Sequence, residues 1–312
     1  VSPAAFHRRR ANAAIQRFGG ETMGTSWSAT IIDPPADIAA DIAAVLRDII
    51  DQMSHWEPRS QLNRFNAATP GGWHRVAPGF AEVMAAALDI AARSDGAFDP
   101  AIGALVDLWG FGPPGSRADA PTDVEIALAR ANSGAAALEF DPLLLRLRRT
   151  RAVRLDLSGI AKGYAVDAIA AMLRARGCGD FLVEIGGELA GQGVAPDGQP
   201  WWVDVEPPPG LSLLPLRIAL HGLAVATSGD YRRAGAHGSH SIDLRTGRPI
   251  ANGVASVTVL HARCMHADAW ASALTVLGPD AGMAVAAREG LAAQMVVRGG
   301  GERLSPALEA ML

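Results

Sequence analysis

The sequence predicts an α+β fold. Two observations carry this: strands come in runs with helices set among them, and several neighbouring apolar stretches pair like hairpins. A doubly wound parallel sheet, which needs strict strand–helix alternation, is disfavoured on the same grounds. A polar arm over residues 1–19 is expected to precede a single domain over 20–312. Thr25–Ile32 alternates apolar and polar residues, as a half-buried strand does. From residue 38 to 53 the apolar positions Ile38, Ile42, Val45, Leu46, Ile49 and Ile50 fall at helical spacing. HWEPRSQLNRFN (55–66) reads as a loop, and Pro78–Ser94 as a helix ending near Gly96. AFDPAIGALVDLWGFGPPG (97–115) begins as a loop, turns briefly helical and stops at its paired prolines.

Thr122 caps a predicted helix that runs to Asn132. Leu143–Arg148 and Arg151–Leu157 alternate at 143, 145, 147 and at 153, 155, 157, the pattern of a hairpin. A helix over 160–175, closed by Gly177, follows. Further strands are expected at 181–185, 202–206, 215–220, 239–243 and 254–260. Helices are expected at 267–277 and 280–289, and a last strand near 293–298.

Composition bounds the function. The 312 residues are 49% hydrophobic and 19% charged, enough to bury a large core. A net charge of −4 and a pI near 6.1 argue against a nucleic-acid surface. No apolar run reaches the ~18 residues of a membrane span. The opening Val1, and a His7-Arg8-Arg9-Arg10 stretch with no apolar run behind it, suggest a trimmed or mature form. Two cysteines, Cys178 and Cys264, are too few for a disulfide framework, and their spacing leaves open whether they pair.

Three segments could carry chemistry. DLSGIAKGYAVD (156–167) holds Lys162, the only lysine in a chain whose other basic residues are arginines. It reads as a strand-to-helix turn, with Ser158 as helix cap and exposed N–H groups that favour an anion. Gly159 and Gly163 permit close approach of a ligand. The spacing is not that of a P-loop, and a plain junction with a solvated lysine is the competing account.

In HADAWASALTVLG (266–278), Asp268 and Ser272 lie four apart and project from one helix face. A carboxylate and a hydroxyl suit a hard cation such as Mg²⁺; the alternative is an acidic residue near a helix start. The neighbouring His261, Cys264, His266 and Asp268 match no zinc spacing. In SHSIDLRTGRPI (239–250), preceded by ATSGDYRR (226–233), His240 is expected on a strand. It could accept a proton from a hydroxyl or be structural, and no G-x-S-x-G elbow accompanies it.

MGTSWS (23–28), HWEPRSQLNRFN, AFDPAIGALVDLWGFG, DLSGIAKGYAVD, LVEIGGEL (182–189), ATSGDYRR, HSIDLRTGRPI and ADAWASALTVLG occur in this order. Together they closely resemble the ApbE-type FAD:protein FMN transferases over roughly residues 20–300. The resemblance implies mixed and antiparallel sheets with packed helices in two intimately packed sub-lobes, FAD lying in a cleft between them. It implies a Mg²⁺ held by the Gly159 carbonyl, Asp268 and Ser272, and FAD gripped by Met23, Trp56, Ala97, Phe98, Asp99, Asp156, Lys162 and the backbone at Ile242. His240 matches the base proposed to deprotonate the Thr or Ser hydroxyl of an acceptor protein, which receives FMN as AMP leaves.

The same kinship implies an acceptor in a membrane redox complex and a periplasmic or outer-face location, although no lipobox cysteine is present. Hydrolysis of FAD to FMN and AMP, or flavin binding without turnover, are the alternatives that share these residues. The chain departs from the family pattern at Ser272 (Thr is usual), Ala271 (often Asp), Gly159 (often Ala) and Leu244 (Pro expected). The last is expected to loosen the turn behind His240.

Overall fold

The structure is a computed structural model that describes residues 13–230, 234–235 and 238–312. The first twelve residues of the expected arm, and Tyr231, Arg232 and Arg233 of the ATSGDYRR stretch, lie outside the described residues. The chain opens with strands β1 (Ile15–Thr22) and β2 (Thr25–Ile32), then α1 (Ile38–Met53), α2 (Gln61–Ala67), β3 (His74–Arg75) and α3 (Pro78–Arg93). Next come α4 (Gly103–Leu108), α5 (Asp123–Ala131), the hairpin β4 (Leu138–Asp141) and β5 (Arg146–Arg149), and α6 (Ala161–Ala175). Strands β6 (Phe181–Ile185), β7 (Glu188–Gln192), β8 (Trp201–Asp204), β9 (Arg217–Leu220) and β10 (Leu223–Gly229) follow. The two-residue strands β11 (Ala234–Gly235), β12 (Gly238–Ser239), β13 (Ile242–Asp243) and β14 (Arg248–Pro249) lead to β15 (Val254–His261). The chain ends with α7 (Cys264–Leu277), α8 (Pro279–Glu289), β16 (Ala292–Val297), β17 (Gly301–Leu304) and α9 (Pro306–Glu309).

One antiparallel sheet, in the order β1-β2-β6-β7-β10-β15-β16-β17, carries the molecule. Its two faces follow from the period of two along a strand. Val183, Ala224, Ala226 and Val259 face the main core, beneath α1, α3, α6 and α7. Their neighbours Leu182, Val225 and Leu260 face the opposite side, against Trp201 and Ile218 of the β8–β9 hairpin and Leu308 of α9. Strand β15 is buried on both faces, which explains its nearly unbroken apolar sequence. The helices pack by their apolar stripes: Ile38, Ile42, Leu46, Ile49 and Met53 of α1 are all buried. This is the predicted α+β architecture.

Several local expectations are corrected. Ile15–Thr22 is an edge strand, so the stretch expected as an arm joins the sheet from Ile15 on. Residues 61–66 of the expected loop belong to α2 (Gln61–Ala67), capped by the Ser60 hydroxyl accepting from the Asn63 N–H. The expected 143–148/151–157 hairpin is instead β4 with β5, and 153–157 runs as irregular chain. That segment is buried at Val153, Leu155 and Leu157, so its alternation reports core contact without a ladder. Strands β7, β10 and β17 were not expected; the first two mix small residues with glycine and give little periodic signal. The α5 cap is a full capping box, Thr122 and Glu125 each bonding the other's backbone N–H. Both cysteines are free.

Candidate active site

The cleft is organised by the segment between β5 and α6. Asn66 on α2 clamps it at two points: its Oδ1 accepts from Leu155 N–H (2.8 Å) and its Nδ2 donates to Leu155 C=O (3.0 Å). The Asp156 N–H then donates to the Pro100 carbonyl, and Asp156 Oδ1 accepts from Ser158 N–H (2.8 Å), closing a tight turn. Ser158 is therefore not the helix cap expected from sequence; Ile160 occupies that position, without a side-chain cap. The turn delivers Gly159 and Lys162 to the base of the cleft, with Gly163 buried behind them.

The second wall is α7. A side chain at Gly163 would place its Cβ 2.7 Å from the Cys264 carbonyl carbon and 2.8 Å from Met265 Cα, so glycine lets α6 and α7 touch backbone to backbone. At that crossing the Gly163 N–H donates to Asp268 Oδ2 (3.0 Å). Asp167, one turn further along α6, accepts from the N–H groups of Cys264 and Met265 and so caps α7 from outside it. Asp268 therefore lies in the second turn of α7, only 4% exposed. Ser272 follows one turn on, its hydroxyl 3.2 Å from that of Ser228 on β10. A Cβ at Gly159 would lie 3.2 Å from Ser272 Oγ and 3.3 Å from the Phe98 ring, so the Gly159 backbone borders the same spot.

The third wall is the segment around His240. The expected strand 239–243 is broken: Ser239 ends β12, His240 sits in a bend, and Ile242 begins β13. The bend leaves His240 half-buried at the cleft, edge-on to Phe111 (6.3 Å between centroids). Leu244 does not loosen the turn behind it. That side chain packs on a small core of Leu105, Trp109, Ile126 and Ile242, and Trp109 Nε1 donates to the Gly247 carbonyl (2.8 Å).

Ala97, Phe98, Asp99, Asp156, Gly159, Lys162, His240, Ile242, Asp268 and Ser272 all line this cleft, whose volume is about 190 Å³. Asp99 stands apart in how it is used. Its two oxygens accept from Ala101 N–H (2.7 Å) and Ala135 N–H (2.8 Å), so its carboxylate braces the loop. Ile242 likewise turns its side chain into the small core, leaving its backbone as the part available to a ligand. Met23 and Trp56 lie in an adjoining, more apolar cleft with Ile49, Met53 and His55, which shares Ser158 and Lys162 with the first.

Met23 sits at φ +49° before Gly24 at φ +73°, the two-residue turn joining β1 to β2. Trp56 is 59% exposed on a loop knitted by Asn63, whose amide donates to the carbonyls of His55 (2.9 Å) and Glu57 (2.8 Å).

Sequence reasoning missed Glu188 at the start of β7. Its carboxylate is ion-paired with Lys162, and its side chain is 3% exposed. Burial pushes the Glu188 carboxyl up to about 7, Lys162 opposing and Asp268 adding to the shift. Burial raises Asp268 too, again opposed by Lys162 and by the Gly163 hydrogen bond. The G-G-E wording after a predicted strand was the signal available, but nothing in spacing tied it to the lysine 26 positions earlier.

The donors at this spot are all oxygen: the Asp268 carboxylate, the Ser272 and Ser228 hydroxyls and the Gly159 backbone. Among the described residues no group of three His, Cys, Asp or Glu side chains is placed to hold a metal ion, and the His261 and His266 rings merely stack on each other (4.9 Å). One buried carboxylate with hydroxyl and carbonyl oxygens fits a hard cation that keeps waters and takes substrate phosphate, as Mg²⁺ does.

The ApbE family model matches residues 23–295 of this chain. A Vibrio cholerae protein named FAD:protein FMN transferase is 39% identical over 289 residues, covering 89% of this chain and 86% of that protein. One of the same name from Escherichia coli K12 is 33% identical, covering 90% and 84%. Among solved structures, the flavin transferase ApbE from Vibrio cholerae superposes with a TM-score of 0.89 at 36% identity, over 96% of this chain and 100% of that one. The apo form of the Pseudomonas stutzeri flavinyl transferase ApbE gives 0.88 at 38% identity, over 96% of each chain. With its fold and its family model both matched over nearly the whole length, the chain belongs to the ApbE family.

Proposed function

We propose that this protein transfers FMN from FAD to a Thr or Ser hydroxyl of a partner protein, in a Mg²⁺-dependent reaction that releases AMP. The observation that carries this reading is the convergence in one cleft of the buried Asp268, the Lys162–Glu188 pair and His240. Its support is kinship with relatives named FAD:protein FMN transferase. Mg²⁺ held by Asp268, Ser272, and the Gly159 carbonyl would supply charge neutralisation for a bound pyrophosphate.

The chain's own residues do the rest. Lys162 brings a positive charge to the base of the cleft, next to the turn whose N–H groups can meet phosphate oxygens. The apolar cleft with Met23 and Trp56 offers a ring face to one of the planar ends of FAD. His240 takes the proton of the acceptor hydroxyl as its oxygen attacks the phosphorus of the FMN half. The bond from that phosphorus to the bridging oxygen breaks, and AMP leaves with the electron pair. The acceptor approaches from the His240 side, and we place it in a redox complex facing the periplasm.

The test is incubation with FAD, Mg²⁺ and a flavin-acceptor domain, followed by mass spectrometry. A mass gain of one FMN on a Thr or Ser, absent with EDTA or with Asp268→Ala, is expected. FMN and AMP appearing at the same rate with no acceptor present would make the chain a pyrophosphatase instead, and FAD that stays intact would leave it a binding protein.

A further inference from the structure

The base of the cleft holds one ammonium and two buried carboxylates. Lys162 on α6 pairs with Glu188 on β7, while Asp268 on α7, within reach of the same charge, takes only the Gly163 N–H from the residue beside that lysine. Glu188 and Asp268 are 2% and 4% exposed, and all three side chains line the same cleft. In so desolvated a place an ammonium strongly prefers a carboxylate partner, and two are on offer. Glu188 Oε2 is buried without a hydrogen-bond partner, so this carboxylate keeps spare capacity to hold the ammonium.

We propose that Glu188 is a positioning residue: it holds the Lys162 ammonium away from Asp268 and so keeps the Asp268 carboxylate open for the divalent cation. This rests on the reading of Asp268 as a cation ligand given above. Without Glu188, Lys162 turns to Asp268 and occupies the cation's place as an internal counter-ion. The lysine then changes from a neighbour of the metal site to its competitor. Nothing in this depends on flavin, because the competition lies among three side chains of the resting protein.

The experiment is a double-mutant cycle read by Mn²⁺ binding to the flavin-free protein, followed by electron paramagnetic resonance. Glu188→Gln is expected to weaken Mn²⁺ binding about tenfold. Lys162→Met in the wild-type background should change it about threefold or less, and in the Glu188→Gln background should recover most of the loss. The cycle is thus strongly non-additive. An additive cycle, in which lysine removal has the same effect in both backgrounds, means simple charge balance and overturns the proposal.

Unchanged Mn²⁺ affinity in Glu188→Gln overturns it too. If Glu188→Gln does not fold, Glu188→Asp, which keeps the charge but draws it back by one methylene, takes its place with the same expected signs. An additive cycle in a protein that still flavinylates its acceptor overturns this inference alone. A coupled cycle in a protein that transfers no FMN upholds it and overturns the transfer reading. A wild-type protein that binds no Mn²⁺ overturns the inference, and the transfer reading is then judged by the acceptor's mass gain alone.

Discussion

Replacing Gly163 by alanine tests the claim that the site depends on two helices touching. The new Cβ would lie 2.7 Å from the Cys264 carbonyl carbon and 2.8 Å from Met265 Cα. Ordinary carbon–carbon contact is ~3.5–4.0 Å, so α6 and α7 must separate by about 0.8 Å, and both obstacles are backbone that cannot rotate away. Overpacking of this kind costs ~1–3 kcal/mol, while alanine in a helix returns up to ~1 kcal/mol relative to glycine. A net loss of up to about 2 kcal/mol remains, a melting temperature lower by up to roughly 3 °C.

The same separation pulls the Gly163 N–H from Asp268 Oδ2 and shifts the carboxylate within the cleft. A ~1 Å displacement of a reacting group can cost ~100-fold in rate. FMN transfer should therefore fall by one to two orders of magnitude, well beyond what the loss of stability accounts for at 25 °C. Gly159→Ala is the control: its Cβ meets only side-chain atoms at 3.2 Å or more, and those can give by a few tenths of an ångström. It should melt within ~1 °C of wild type and keep most of its activity. Differential scanning fluorimetry and a transfer assay read both. A Gly163→Ala protein that melts and transfers like wild type would refute the close-crossing argument.

Other expectations follow from single contacts. His240→Ala should lower the transfer rate ~10²–10⁴-fold with little change in FAD affinity by fluorescence quenching; an affinity change alone would make the histidine structural. Asn66→Ala strands the buried Leu155 N–H and C=O and should destabilise the fold by about 1–3 kcal/mol in urea titration, whereas unaltered stability would mean other groups satisfy that segment. Trp56→Ala should weaken FAD binding by about 1–3 kcal/mol, as loss of a stacking face does, and leave melting unchanged because the ring is exposed.

For pH, Glu188 has a folded value raised to about 7 from an ordinary 4.5, mainly by burial. The folded chain then binds its proton more readily than the unfolded one. Its contribution to stability is fully present below 4.5 and is lost as pH rises through about 7. The stability difference between wild type and Glu188→Gln in the metal-free protein should accordingly shrink from pH 5 to pH 8; a flat or growing difference contradicts the burial of that carboxyl.

Where periodicity was strong, the sequence was an accurate guide. The apolar stripe from Ile38 to Ile50 made α1 legible to the residue, and Thr122 marked the start of α5. Both signals are local: an amphipathic face and a cap are written within a few residues of each other. Legibility failed where partners are distant. The alternation at 153–157 mimics a strand because each inward residue meets the core, yet the backbone of this stretch bonds to Asn66, Pro100 and Gly103 rather than to a ladder. Asn66 and Asn63 in HWEPRSQLNRFN looked like loop polarity, and only the fold shows that Asn66 stitches the distant Leu155 backbone while Asn63 ties down its own loop at His55 and Glu57.

By itself the sequence determined the α+β class and the family resemblance, and through that resemblance it named most of the residues that meet in the cleft, though Glu188 was missed and Met23 and Trp56 lie in the adjoining one. The tertiary structure alone decided how those residues are used. Asp99 spends its carboxylate on a loop, His240 stands in a bend, and Asp268 faces Gly163 across a helix crossing that only a missing Cβ allows. Above all, the chain's one lysine pairs with a glutamate that no spacing rule connects to it. The physical reason is desolvation: which carboxylate an ammonium chooses, and which is left for a cation, is settled by burial and by distances across three separate elements.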